Sequence, residues 1–307
     1  MNITYIILSL LKYQKHRILN TPKYQCTQRL KMFLQNTPPP FMAEKERKQM
    51  LKFLQWHLCG VFNYLFAVQY LFKKVKVFVD SQNGLPYVIT KERQRLYFKH
   101  NQTLKYVRGY YNDLCKEQDK HSPHNYCFDT LNITQNTILV DVGAAEANFS
   151  LKFIDQIKKL YIFESNSEWV EALKATFNPW KEKIEIVNKY VSDGNIKSIE
   201  VENDAISLDD FFENKEKPTL IKMDVEDAEK QVLAGAKKLL AGNNASELLV
   251  CTYHRHGDEQ VLSKILCENG YIVKPSKGYM WFTAEYANLC SNEIPIDLRK
   301  GVIHASK

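Results

Sequence analysis

From Thr137 onward the chain alternates short apolar runs with stretches of helical period, and few folds accept that rhythm. The runs are Ile138–Val142, Leu160–Glu164, Ile184–Asn188, Leu220–Asp224, Leu248–Tyr253, Tyr271–Lys274 and Tyr279–Thr283. Between them, periodicity predicts helices over Asn148–Lys158, Ser167–Phe177, Leu208–Glu213, Ala228–Leu240 and Asp258–Asn269. The expected fold class is α/β, a doubly wound, seven-stranded, mostly parallel sheet with crossover helices on both faces. The last two runs, joined by Lys274-Pro275-Ser276-Lys277-Gly278, are expected to form a hairpin and supply one antiparallel edge.

The charge is divided along the chain. Of the 42 Lys and Arg and 35 Asp and Glu that give a net +7, residues 1–110 hold 19 basic and 4 acidic, a balance of +15; the remainder holds 23 and 31, a balance of −8. A basic front joined to an acidic body implies different surroundings for the two parts. The seven cysteines are odd in number and include no Cys-x-x-Cys pair, which excludes the common zinc and thioredoxin patterns and fits a reducing, cytoplasmic compartment.

In the front, Ile3–Leu11 is apolar but lacks a preceding basic region and a small-residue cleavage site, so it makes a poor signal peptide. Pro38-Pro39-Pro40 reads as a linker. Phe53–Phe72 is uncharged, flanked by Lys52 and by Lys73, Lys74 and Lys76, and long enough to span a bilayer. At about 100° per residue Gln55, Asn63 and Gln69 share one arc, so it reads as an amphipathic helix with a narrow polar stripe. Three fates are open to it: packing on the body or on a second subunit, lying peripherally on the inner face of a membrane through residues 53–76, or spanning. Lys76–Asp80, Leu85–Thr90 and Arg95–Phe98 read as a β-meander with a hairpin turn at Asn83-Gly84. Tyr110–Tyr126 is either a solvated helix and loop or a lid, with Glu117, Gln118 and His124 as candidates for closing over a ligand. The expected regions are a helical extension (1–75), a meander and lid (76–130) and a main domain (131–307).

In a doubly wound sheet, ligands sit beyond the carboxyl ends of the strands, at the switch point beside the first strand. Here that strand ends in Asp141-Val142-Gly143-Ala144-Ala145-Glu146-Ala147, a turn of small residues that lets backbone approach a ligand. Glu164 ends the second strand 21 residues after Gly143, the spacing at which an acidic side chain accepts from ribose hydroxyls; alone it would read as a solvated strand-end carboxylate. A nicotinamide dinucleotide is disfavoured, because the second and third glycines are missing and Glu146 would repel a pyrophosphate. S-adenosylmethionine carries a sulfonium and no phosphate, and Asp141 and Glu146 suit its cationic groups. Ser165 beside Glu164, and Ser192 and Asp193 after the third strand, are placed to touch the nucleoside; Asp193 reads equally well as a turn residue before Gly194.

Asp141–Ser150 (DVGAAEANFS), Ile221–Glu229 (IKMDVEDAE), Cys251–His254 (CTYH) and Leu298–Lys307 (LRKGVIHASK) together resemble the FkbM-type S-adenosylmethionine-dependent methyltransferases, from about Lys76 to the C-terminus. The resemblance implies a class I methyltransferase fold and methyl transfer to a hydroxyl oxygen. The chain departs from it where the family commonly has glycine, at Ala147 and Asp227; Asp227 is expected to cap a helix harmlessly.

Asp224 and Glu226 follow the fourth strand and His254 the fifth, so two carboxylates and an imidazole are expected at one mouth. A neutral His254 would take the acceptor's proton as the methyl arrives. Asp224 would position the donor's ammonium or the acceptor, and Glu226 would orient His254. Lys222 would pair with Asp224 or Glu226 or touch substrate. The Asp, Glu and His groups could instead hold a divalent cation, although no metal ligand set is assigned. His256 is expected to face solvent. The expected acceptor is a carbohydrate, glycan or other hydroxyl-bearing metabolite, with Tyr253, Tyr110 and Tyr111 nearby, and a homodimer is compatible with the front helix. Two alternatives are a nucleic-acid methyltransferase, disfavoured because the mouth is acidic and no Asn-Pro-Pro-Tyr-type segment follows the fourth strand, and a degenerate binding module.

Overall fold

The computed structural model describes residues 21–40, 42–71, 73–194, 205–242, 245–282 and 296–307. The apolar segment Ile3–Leu11 lies outside them. Helix α1 (Pro22–Asn36) is capped by Thr21, whose hydroxyl accepts from the Tyr24 N–H, with Pro22 in the first turn where no donor is needed. After the prolines comes α2 (Glu44–Leu54), which opens with two acidic residues.

The expected helix over Phe53–Phe72 does not form. Helix α2 ends at Leu54, and the chain turns through Gly60 before a short 3-10 helix at Leu65–Leu71. The turn is made by Asn63, fully buried, whose amide accepts from the Gly60 N–H and donates to its carbonyl. A side chain that bonds nearby backbone competes with helix. Neighbouring groups then hold the segment extended: Cys59 N–H donates to Thr27 Oγ1, Trp281 N–H to the Val61 carbonyl and Tyr279 N–H to Tyr64 Oη. Gln55 and Gln69 are left exposed, so there is no common polar stripe. Among the described residues no helix is long and apolar enough to cross a membrane.

The meander is present as β1 (Val77–Val79), β2 (Pro86–Ile89) and β3 (Arg95–Tyr97), antiparallel throughout. In its first turn only Gly84 has positive φ (+72°); Asn83 instead uses its side chain to accept from the Leu85 N–H. Helix α3 (Leu104–Glu117) follows and buries Val107 and Tyr111.

The main sheet begins with β4 (Ile138–Val142), then α4 (Asn148–Phe153), β5 (Lys159–Phe163), α5 (Ser167–Phe177) and β6 (Ile184–Val187). A small pair, β7 (Tyr190–Val191) and β8 (Ala205–Ile206), lies apart and leads into α6 (Leu208–Phe211). The second half runs β9 (Leu220–Met223), α7 (Glu229–Ala234), α8 (Lys237–Ala241), β10 (Glu247–Cys251), α9 (Asp258–Glu268) and β11 (Ile272–Pro275). The chain ends in β12 (Met280–Phe282), β13 (Asp297–Arg299) and β14 (Val302–Ser306). The single helix expected over Ala228–Leu240 is broken at Gly235, where a Cβ would stand 2.0 Å from the Ser192 carbonyl oxygen.

The seven-stranded sheet has the order β11-β14-β10-β9-β4-β5-β6, parallel except for β14. The expected edge hairpin is therefore wrong in its partner. Strand β12 leaves the sheet and pairs with β13, while β14 enters antiparallel between β10 and β11. Gly301 permits that return, because a Cβ there would lie 2.3 Å from the Pro123 carbonyl oxygen. One face of the sheet packs with the meander and α3, and the other with the α6 to α9 side. A third cluster joins α1 and α2 to Trp281 and Leu298, tying the basic front to the end of the chain.

Candidate active site

Parallel strands β4, β5, β9 and β10 deliver their carboxyl ends to one rim, and the chain there is held by close approach. At Gly143 φ is +69° and a Cβ would meet the Asp224 carbonyl oxygen at 2.0 Å, so only glycine lets the turn after β4 rest against the turn after β9. Six non-glycine residues among those described have positive φ, and four of them, Ala145, Ala147, Glu226 and Asp227, lie in these two turns. Strain of this kind collects where a ligand must be met.

Asp141 and Lys222 stand opposite each other in the β4–β9 register, and Lys222 Nζ lies 2.9 Å from Asp141 Oδ1. Ser150 Oγ donates to Asp141 Oδ2 at 2.6 Å, and Lys222 donates to the Gly143 carbonyl at 3.0 Å. Burial works against the ammonium, but the charges of Asp141 and Asp224 hold its pKa above the ordinary value. Asp141 is fully buried and occupied by these partners. It anchors the turn through Ser150 and Lys222. Lys222 pairs with Asp141 rather than with Asp224 or Glu226, and feels Asp224 through its charge.

Glu164 spans the crevice. Its Oε2 accepts from the Ala145 N–H and its Oε1 from the Asn166 N–H, both at 2.8 Å, and burial pushes its pKa up. The Asn188 amide donates to the carbonyls of Glu164 and Ser165, setting the chain direction there. Ser192 is buried and accepts from the Gly194 N–H, while Asp193 is exposed beyond it. Glu146 is buried, takes a 2.9 Å hydrogen bond from Tyr110 Oη, and is pushed up to about 7 by burial.

The centre of the mouth is Asp224. Tyr126 Oη donates to its Oδ2 at 2.7 Å and Tyr253 Oη to its Oδ1 at 3.2 Å, while His254 Nε2 lies 3.3 Å from Oδ1. Burial opposes its ionisation, but the His254 contact and the charge of Lys222 hold it well below the usual carboxylate range. The other nitrogen of His254, Nδ1, lies 2.9 Å from Glu229 Oε1. Although burial opposes the charge, the two carboxylates raise the imidazole to about 10. The raised pKa favours the charged form over the neutral His254 expected from the sequence, although neither nitrogen makes a well-aligned hydrogen bond to these carboxylates.

Glu226 is also corrected. The positive φ of Glu226 (+47°) and Asp227 (+84°) carries both side chains outward, where Glu226 is exposed and Asp227 pairs with Arg255 at 2.9 Å. Asp227 therefore does not cap α7, whose N-cap is Ala228. The carboxylate that orients His254 is Glu229, buried at the start of α7 and also accepting from the Val225 N–H. Arg299 was also missed. It is held by Asp297 at 2.6 Å and donates to the carbonyls of Tyr253 and His254, fixing the backbone that presents both rings. His256 is mostly exposed and touches Asp297.

The segment after α3 closes the mouth. His124 and Tyr126 are buried against Asp224 and Cys251, and Gln118 braces the loop through the His124 carbonyl and the Asn125 amide. Burial lowers His124 to about 4 and, with the charges of Glu146 and Asp224, raises Glu117 to about 8. Glu117 lies 4.0 Å from His124 Nδ1 with its side chain about one-third exposed. Among the described residues two triads, His124/Asp224/Cys251 and Asp224/Glu229/His254, have ligand atoms within 4.8 Å of one another.

A sheet of this order, with a glycine turn after its first strand and an acid ending the second, is the class I methyltransferase fold. Residues 141–273 match the model of the methyltransferase FkbM domain, a shorter span than the resemblance from Lys76. A methyltransferase FkbM from Methylobacillus flagellatus KT aligns at 18% identity and a TM-score of 0.44, covering 57% of this chain and 45% of that one. The chain thus spans less than half the length of that protein. A precorrin-6y C5,15-methyltransferase from Geobacter metallireducens GS-15 aligns at 12% identity and TM-score 0.38, covering 58% and 83% of the two chains. An rRNA methylase from Streptococcus thermophilus aligns at 14% and 0.36, covering 57% and 89%. No curated protein matches the sequence.

Proposed function

We propose that the protein is an S-adenosylmethionine-dependent O-methyltransferase acting on a hydroxyl of a carbohydrate, glycan or related polyhydroxylated metabolite. The observation that carries the reading is the shortage of positive charge at the mouth. Glu117, Asp141, Glu146, Glu164, Asp224 and Glu229 surround two cations, Lys222 and His254, and Glu117 and Glu146 respond with pKa values of about 8 and 7. A donor carrying a sulfonium and an ammonium supplies the missing charge, whereas a pyrophosphate would add to the repulsion. The residues therefore fit this cofactor. Glu164, whose two oxygens keep lone pairs beyond the backbone N–H bonds they accept, would hold the ribose hydroxyls, and Glu146 the ammonium.

When bound, the cofactor supplies a methyl group on positive sulfur. The protein's share is to orient the acceptor and remove its proton. His254 is a positioning cation that fixes Asp224, and Asp224 in turn collects Tyr126 and Tyr253 around the acceptor's place. Glu117 is the base in this reading. It lines the mouth, is partly exposed, and has a pKa close to neutrality, which favours proton transfer at physiological pH.

Titration with S-adenosylhomocysteine followed by transfer of labelled methyl from S-adenosylmethionine into fractionated glycan and small-molecule pools tests the reading. Binding plus label in a hydroxyl ether supports it. Absence of binding, or label on nitrogen or in nucleic acid, removes it. Loss of turnover in strong chelator would show that the Asp224/Glu229/His254 triad holds a divalent cation.

A further inference from the structure

A cavity of about 1120 Å³ lies outside the site described above, between α2, the loop 120–130 and the segment after β11. Lys45, Lys52, Lys120, Lys274 and Lys277 line it, against Glu46 and Asp129. Those two acids are already engaged: Glu46 Oε1 accepts from the Gly278 N–H and lies 3.8 Å from Lys300 Nζ, and Asp129 lies 3.8 Å from Lys277. Among the described residues Lys45, Lys52, Lys120 and Lys274 have no acidic side chain within ion-pair distance. Tyr64, Phe66 and Phe128 add aromatic surface. Exposed lysines and aromatic rings thus share one cavity.

It borders the mouth across the loop 120–130. Strand β11 runs parallel to β10, so Lys274 and Pro275 end at the same rim of the sheet as Cys251 and Asp224. Within the loop 120–130, Ser122 and Asn125 line the cavity while His124 and Tyr126 turn toward Asp224. One loop therefore faces both spaces. The charge along this path changes sign, from lysines in the cavity to Glu117, Glu146 and Asp224 at the mouth.

Resting on the methyltransferase reading, we infer that the acceptor is an oligosaccharide bearing a phosphate at one end. The phosphate sits among the cavity lysines, sugar rings lie on the aromatic walls, and an uncharged hydroxyl end reaches the acidic mouth. A nucleic acid fits this gradient poorly, because it carries a charge at every nucleotide and would bring phosphates against Glu117 and Asp224.

Calorimetric titration of the full chain with maltotriose 1-phosphate, with maltotriose and with a single-stranded RNA decamer tests the inference. At about 50 mM salt the phosphorylated sugar should bind about tenfold more tightly than maltotriose, and the advantage should shrink at high salt. In a Lys52→Gln/Lys120→Gln/Lys274→Gln variant the advantage should vanish while S-adenosylhomocysteine affinity and Tm stay unchanged. No preference for phosphate, a preference that survives in the variant, or tighter binding of the RNA would overturn it. Bound S-adenosylhomocysteine with no phosphate preference would leave the methyltransferase reading standing and remove this one; no binding of S-adenosylhomocysteine would remove both.

Discussion

His254 Nδ1 lies 2.9 Å from Glu229 Oε1, and this pair defines the resting charge of the site. With Asp224 at 3.3 Å on the other nitrogen, the ring is held between two carboxylates and stays protonated up to about pH 10. The folded pKa is raised above the ordinary 6.5, so the stabilisation is complete below about pH 6.5 and is lost as the pH rises toward 10. Glu229→Gln should bring the His254 pKa down by more than one unit, read from imidazole proton shifts across a pH titration, and Tm should fall most below pH 7. An unchanged titration would show that Asp224 alone holds the proton.

Glu117 is expected to set the ascending, acidic limb of the activity profile. Burial raises it to about 8, with the Glu146 and Asp224 charges adding to the rise, so the ionised form able to accept a proton grows from pH 7 to 9. Single-turnover methyl transfer should rise over that interval, and Glu117→Gln should slow it by about 10²-fold or more with the pH dependence flattened. S-adenosylhomocysteine affinity should change little. A variant that keeps both the rate and the pH limb would place the base elsewhere.

Strands β4, β5, β6, β9 and β10 are legible in the sequence because parallel strands covered on both faces are nearly continuous apolar runs. Strand β14 is not, because its run is interrupted by His304, which becomes buried only through Glu247 at 3.0 Å and Thr130 at 2.9 Å, partners far away in sequence. The Phe53–Phe72 stretch misleads for a related reason. Its apolar residues answer to α1 and the β12 region, not to each other, so periodicity finds a helix where contacts impose a wrap. At the site, Asp224 and His254 are legible as residues following strand ends. Glu229, Arg299 and Tyr126 are not, because the left-handed turn at Glu226 and Asp227 reverses which acid faces inward, and the other two arrive from distant segments.

Glu164 holds the turn after β4 through the Ala145 N–H and would also hold the cofactor's ribose. Glu164→Gln keeps an oxygen for one backbone donor but loses the charge, so S-adenosylhomocysteine affinity should fall about 10-fold to 100-fold, as expected for hydrogen bonds to a charged group. Tm should fall by only a few degrees. Equal affinity in the variant would separate Glu164 from the nucleoside.

Ala147 and Asp227, the two departures from the pattern that the resemblance implies, both have left-handed backbone, with φ of +57° and +84°. The two should respond differently to glycine. Ala147 is buried at the start of α4 with no capping side chain, so Ala147→Gly relieves backbone strain of about 1 kcal/mol and loses only a methyl. Part of that gain is offset by the freedom glycine has when unfolded, leaving an increase of about 0.5 kcal/mol. Asp tolerates the left-handed region better than Ala, and Asp227 makes an exposed ion pair with Arg255, so Asp227→Gly should leave stability within about 0.5 kcal/mol of the parent. Urea melts of the two variants check the order. If Asp227→Gly gains more than Ala147→Gly, the strain resides in the turn after β9, and the turn after β4 is already relaxed.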